Sequence, residues 1–130
     1  MAEAQSVQNL RKGYKAFAEA DMEALAEVIP EDAVWHIPGN STLAGDYKGR
    51  DAVFGYFGKL TEVTGGTFKA ELVYVLGDDK FAIALQRSTA AVKGQTYSGT
   101  DVLVDRIEND AAVETWVYLE DQARFDALLS

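Results

Sequence analysis

Gln86, Asp101 and Tyr118 are the residues whose spacing most invites chemistry, because two turn signals would bring them into one row across three antiparallel strands. With Lys93-Gly94 at the centre of one hairpin loop, Gln86 falls opposite Asp101 and Ala84 opposite Leu103. With Asn109-Asp110 at the centre of the next, Asp101 falls opposite Tyr118 and Leu103 opposite Trp116. A carboxylate enclosed in such a row must gain hydrogen-bond donors or hold its proton, since desolvation raises a carboxyl pKa. Ionised, it accepts a proton from a substrate; protonated, it donates one to a carbonyl oxygen. Asp101 is therefore the candidate proton carrier, and a solvated place at a wet sheet edge is the competing reading.

His36 is the single histidine of the chain, and an imidazole titrates near neutral pH without any perturbation. It is a second candidate proton carrier, although strict alternation sets it opposite Trp35 and Ile37, where a structural hydrogen bond is the competing role. Tyr14 lies on the apolar stripe of the first predicted helix, with its hydroxyl at a pocket or simply packed. Tyr14 and Tyr118 are the candidates to bind negative charge developing on a substrate. The expected binding wall is Trp35, Tyr47, Phe54, Phe57, Gln86, Leu103, Trp116 and Tyr118. Asp105 and Glu114 would face each other near a turn, where like charges prefer water, and are read as surface. One histidine and no cysteine give no metal set, so neither metal nor cofactor is expected.

Helices precede strands in the elements that would hold these groups. Val7, Leu10, Tyr14 and Phe17 recur at helical spacing, with Ser6 as the expected cap. Asp21 opens a second helix that Pro30 ends. Residues 33–37 read as a strand stopped by Pro38-Gly39-Asn40, followed by loop composition as far as Gly49. Val53, Phe54, Phe57 and Leu60 mark a third helix, ended by Gly65-Gly66. Strands are predicted over 67–76, 80–91, 97–107 and 112–119, then a short helix over 121–129. This order indicates an α+β domain with helices segregated to one face of an antiparallel sheet. On one face the register gathers Phe81, Ile83, Leu85, Val102, Val104, Val113 and Val117, and on the other alanines, aromatic rings and the polar row. Helices cover only one face, so the surplus apolar surface implies a homodimer through sheet faces. Alanines beside large rings leave the gaps a pocket needs.

A chain of 130 residues with ordinary apolar and charged fractions fits one domain with its own core. Twenty-one acidic against twelve basic residues give a net charge of -9, which disfavours nucleic acid and anionic membranes. The first twenty residues show neither a secretion signal nor a membrane span, so cytoplasmic residence is expected.

With Asp21, Trp35-His36-Ile37-Pro38-Gly39, the loop from Leu43 to Gly49 and Glu114-Thr115-Trp116 in this order, the chain resembles the superfamily related to nuclear transport factor two over roughly residues 7–126. Within it, the similarity is to the ketosteroid-isomerase-like and SnoaL-like polyketide-cyclase members. The resemblance implies a cystatin-like cone in which three N-terminal helices pack on the concave face of a curved antiparallel sheet, with a ligand cavity between them and frequent dimerisation. It places the isomerase's tyrosine within one residue of Tyr14, its general base at Ile37 and its buried acid near Leu103. Two of those three roles lack the needed side chain, so a shared fold implies a pocket without implying that reaction. The expectation is a small apolar organic ligand and a cofactor-independent isomerase, cyclase or dehydratase of a carbonyl compound. A noncatalytic binding protein or a dimeric assembly domain is the alternative.

Overall fold

Apolar residues at helical spacing in the first thirty positions fold as α1 (Gln5–Ala18) and α2 (Met22–Val28), joined at Ala20 in a left-handed backbone conformation. The computed structural model describes residues 3–130. Asp21 caps α2 as its type suggests, accepting from the Ala24 amide at 3.1 Å. Ser6 does not cap α1, which begins one residue earlier; its buried hydroxyl donates instead to the Asp78 carbonyl at 2.7 Å and ties the helix to a strand turn.

β1 (Val34–Ile37) is followed by β2 (Gly45–Lys48), inside the stretch whose composition reads as loop. Gly-Asp-Tyr-Lys has little intrinsic strand preference, and its pairing with β1 supplies the order that propensity lacks. Next come α3 (Arg50–Val63), β3 (Lys69–Gly77), β4 (Phe81–Val92), β5 (Gln95–Glu108), β6 (Ala111–Tyr118) and α4 (Gln122–Leu128). One six-stranded sheet results, in the order β2-β1-β6-β5-β4-β3. Every pair is antiparallel except β1 with β6, because β1 reaches the sheet from the helical half. The architecture is α+β, a curved sheet with its helices on the concave side.

Both predicted hairpin centres hold. Lys93-Gly94 and Asn109-Asp110 have positive φ at both central residues, the geometry of a tight two-residue hairpin loop. Gln86 pairs with Asp101 and Ala84 with Leu103, as the first loop requires. The second ladder starts in register, Ile107 opposite Ala112, and then slips: Arg106 pairs with Glu114, leaving Val113 as an extra residue. From that bulge onward every β6 side chain changes face. Trp116 and Tyr118 therefore lie on the convex side, opposite Val104 and Val102, while Thr115 and Val117 face inward.

The core fills the space between helices and concave face, with Leu25, Val53, Phe57, Leu60 and Tyr97 buried in it. Phe17 and Trp35 each meet the Phe57 ring edge-on at 5.2 Å. The convex face stays apolar and uncovered: Tyr74, Leu76, Phe81 and Tyr118 are each more than half exposed. Among the described residues, no helix is long and apolar enough to cross a membrane.

Candidate functional site

A cavity of about 140 Å³ lies between the helices and the inner face of the sheet. That is close to the roughly 150 Å³ at which an apolar cavity in a protein accepts benzene. Its wall is mostly hydrocarbon and aromatic, and the polar side chains reaching it are few enough to set the orientation of a ligand.

One of these is Asp105. Alternation from Asp101 through Leu103 puts Asp105 on the inner face of β5, between Ala82 on β4 and Thr115 on β6. The same row continues to Trp35 and Tyr47. Asp105 is only 2% exposed. One of its carboxyl oxygens, Oδ1, accepts from the Thr115 hydroxyl at 2.6 Å, and the other has no partner among the described residues. Burial pushes its pKa up to about 6, and the Thr115 hydrogen bond offsets part of that rise. The surface reading of Asp105 is thus corrected. The bulge removes Glu114 from its side and substitutes a threonine donor, so the like-charge repulsion on which that reading rested does not arise.

Tyr14 enters from α1. Its hydroxyl donates to Gln86 Oε1 at 2.5 Å, and Gln86 Nε2 donates to the Ser88 hydroxyl at 2.8 Å. Burial raises the pKa of the phenol, with further contributions from the charges of Asp105 and then Asp101, so this hydroxyl lies within the field of both carboxylates. It keeps its proton at any physiological pH and can serve only as a hydrogen-bond donor or acceptor.

Asp101 is 1% exposed and lines the same cavity. Its Oδ1 accepts from the Tyr97 hydroxyl at 2.9 Å and from the Glu120 amide at 3.0 Å. The Tyr97 ring lies across Gly99, where even a methyl group would overlap it. Glycine at that position is thus what lets a side chain reach its neighbour four residues along the strand. Two donors fix Asp101 at the point where β6 leaves the sheet, an arrangement suited to holding a position.

Of the residues predicted from sequence, Tyr14, Trp35, Phe57, Gln86, Asp101 and Leu103 line the cavity. Trp116 and Tyr118 do not, for the reason of register given above, and Tyr118 is 56% exposed. His36 is also outside. Alternation turns it to the convex face, where its Nδ1 meets Asp46 at 2.8 Å, its Nε2 meets Glu114 at 2.6 Å, and its ring stacks on Trp116. Hydrogen bonds to Glu114 and then Asp46 raise its pKa, which suits a structural imidazolium. These carboxylates sit on opposite ring nitrogens, and among the described residues no His, Cys, Asp or Glu set converges on a metal. Tyr47 donates to the Leu43 carbonyl at 2.7 Å and packs on Tyr56, behind the wall. Phe54 packs on Phe57 from the side away from the cavity lining. Sequence reasoning missed Asp105, Thr115 and Ser88. The signal for two of them was there: Asp105 follows Asp101, and Ser88 follows Gln86, in steps of two along strands already identified.

The SnoaL-like domain family matches residues 10–115. Bal32a, from a soil-derived mobile gene cassette, is 38% identical with a TM-score of 0.92 and 97% of each chain covered. A protein of unknown function with a cystatin-like fold from Xanthomonas campestris is 25% identical, with a TM-score of 0.88 over 96% of this chain and 98% of that one. A putative SnoaL-like polyketide cyclase from Jannaschia sp. CCS1 has a TM-score of 0.77 over 97% of this chain and 92% of its own. At 14% identity that last likeness is one of fold.

Proposed function

Because the chain belongs to the SnoaL-like domain family, we propose that its cavity moves a proton on a small, apolar carbonyl compound, in an isomerisation, cyclisation or dehydration that needs no cofactor. The observation that carries this reading is the Asp105 carboxyl, buried at the cavity wall with one oxygen held by Thr115 and the other unpartnered among the described residues. A base whose pKa is about 6 is mostly ionised at neutral pH, yet binds a proton more strongly than an ordinary aspartate. Asp105 takes a proton from the carbon next to the carbonyl, and the electron pair of that C–H bond passes into an enolate. Tyr14 donates a hydrogen bond to the enolate oxygen. The protonated Asp105 then returns the proton to a different carbon, or the enolate carbon attacks a second carbonyl and closes a ring, the π electrons of that carbonyl passing to its oxygen, which takes the proton from Asp105. Asp101, fixed beside Gln86, helps orient the ligand.

Deuterium exchange tests the assignment. A panel of single-ring ketones incubated with the protein in heavy water should gain deuterium next to the carbonyl faster than in buffer. Asp105→Asn should remove about 10²–10⁴-fold of that acceleration, the usual worth of a general base. Equal exchange in both proteins would contradict the assignment. The mostly apolar wall supports a second reading, a noncatalytic binding protein, whose signature is ketone binding with no exchange at all.

The same proposal includes a cytoplasmic homodimer joined through the convex faces. Its support is the exposed apolar set of Tyr74, Leu76, Phe81 and Tyr118. Sedimentation at micromolar concentration should give twice the chain mass, and Phe81→Glu should give one.

A further inference from the structure

The hydroxyl of Ser88 is fully buried and accepts from Gln86 Nε2, while among the described residues its own proton has no acceptor. A buried donor left unpaired is costly, and this one sits at the end of a chain that can run either way. A half-turn of the Gln86 amide exchanges its oxygen and nitrogen ends. Ser88 then donates to Gln86 Oε1, Gln86 Nε2 donates to the Tyr14 oxygen, and the Tyr14 proton is released toward the cavity. In the first polarity the unpaired proton is buried on Ser88, outside the cavity lining. In the second it lies at the cavity wall, where a ligand oxygen can take it.

We propose that Gln86 is a positioning residue that sets the direction of the Tyr14 hydrogen bond, that Ser88 partners either end of its amide so that it can turn without losing a bond, and that a bound carbonyl oxygen selects the polarity in which Tyr14 donates to it. The inference rests on the reading above only in that the ligand brings a carbonyl. It also assigns specificity: the ligand must place a neutral acceptor oxygen at Tyr14, because a hydrocarbon leaves the chain in its first polarity and an anion would meet the charges of Asp101 and Asp105.

Cyclohex-2-enone is a probe of suitable size, and the infrared carbonyl stretch of the bound probe reads the hydrogen bond directly. In the wild-type protein the band should lie below its position in cyclohexane, and in Tyr14→Phe it should return there. Gln86→Glu, ionised, offers only acceptors, so it keeps the Tyr14 proton whatever Ser88 does. The band should then return to its cyclohexane position although Tyr14 is intact, with enone affinity about tenfold weaker, or roughly 1.4 kcal/mol. Gln86→Leu removes the competing acceptor, so its band should stay low. A purely structural role predicts the reverse ranking, since Gln86→Leu departs further from glutamine in shape and polarity than Gln86→Glu.

A wild-type protein that fails to bind the enone, or binds it with the band at its cyclohexane position, overturns the inference without use of any variant. Equal bands in Gln86→Glu and wild type also overturn it. A low band without Asp105-dependent deuterium exchange contradicts the proton-transfer reading and leaves this inference standing.

Discussion

Asp105 and Glu114 sit on adjacent rungs of the same ladder and titrate in opposite directions. Asp105 pairs with Thr115 on the concave side, where burial raises its pKa to about 6. Glu114 pairs with Arg106 on the convex side, where the His36 hydrogen bond, and then that from Arg106, lowers its pKa. The strand alternates sides at every residue, so a single step along β5 or β6 moves a carboxyl from one regime to the other. A sheet with one face sealed by helices thus makes two kinds of acid from one residue chemistry. Asp105 can exchange protons near neutral pH, and Glu114 is a fixed charge that holds β1 against β6.

The largest predicted effect is on turnover. Asp105→Asn should lower any activity about 10²–10⁴-fold, whereas Glu114→Gln and Tyr118→Ser should leave it within about twofold, because surface changes away from a site have small effects. Activity of the wild-type protein should rise with pH through about 6, as Asp105 ionises. A comparable loss from Glu114→Gln would break the division between the faces.

Next in size is stability. The folded-state pKa of Asp105 is raised, so folding favours its protonated form: that contribution is complete below the unfolded value near 3.9 and is lost as pH rises through about 6. Above pH 6 the buried charge is a burden of at most ~3 kcal/mol. Asp105→Asn should therefore raise the denaturation midpoint at pH 8 even as it lowers activity, and should raise that midpoint less at pH 4. Gly99→Ala should cost about 1–3 kcal/mol through overlap with the Tyr97 ring, read by urea unfolding.

The smallest effect concerns the outer face. His36 has a raised pKa, so its contribution is complete below about 6.5 and lost as pH rises through the folded value. Glu114 has a lowered pKa, so its contribution is present above about 4.3 and lost as pH falls through its folded value. His36→Ala should thus be most destabilising between those limits, by less than about 1 kcal/mol, since partly exposed ion pairs are weak. Asp105 and His36 variants should consequently shift stability in opposite senses.

Much of this arrangement was legible in the residues. Helical spacing located α1, α2 and α3, and the two hairpin signals placed Gln86 opposite Asp101 and Ala84 opposite Leu103. The errors share one source. A bulge at Val113 leaves no composition signature, because the residue is an ordinary strand former that pairing happens to omit. It carried Trp116 and Tyr118 to the wrong face and set Glu114 against Asp105. His36 went outward as alternation required, so its single occurrence drew more attention than its position warranted. β2 was invisible for a different reason: its order comes from β1 beside it. The roles of Thr115 and Ser88 depend on hydrogen bonds across strands, which no one-dimensional spacing displays.

The most direct test is the titration of Asp105 itself, followed through its ¹³C carboxyl resonance in the intact protein. A midpoint near 6 that stays in place in Thr115→Ser, which keeps the hydroxyl donor, and falls in a variant opening the cavity to water, such as Leu103→Ala, is the expected result. A midpoint near the ordinary 3.9 would mean that the carboxyl is solvated, and the proton carrier would have to be sought elsewhere.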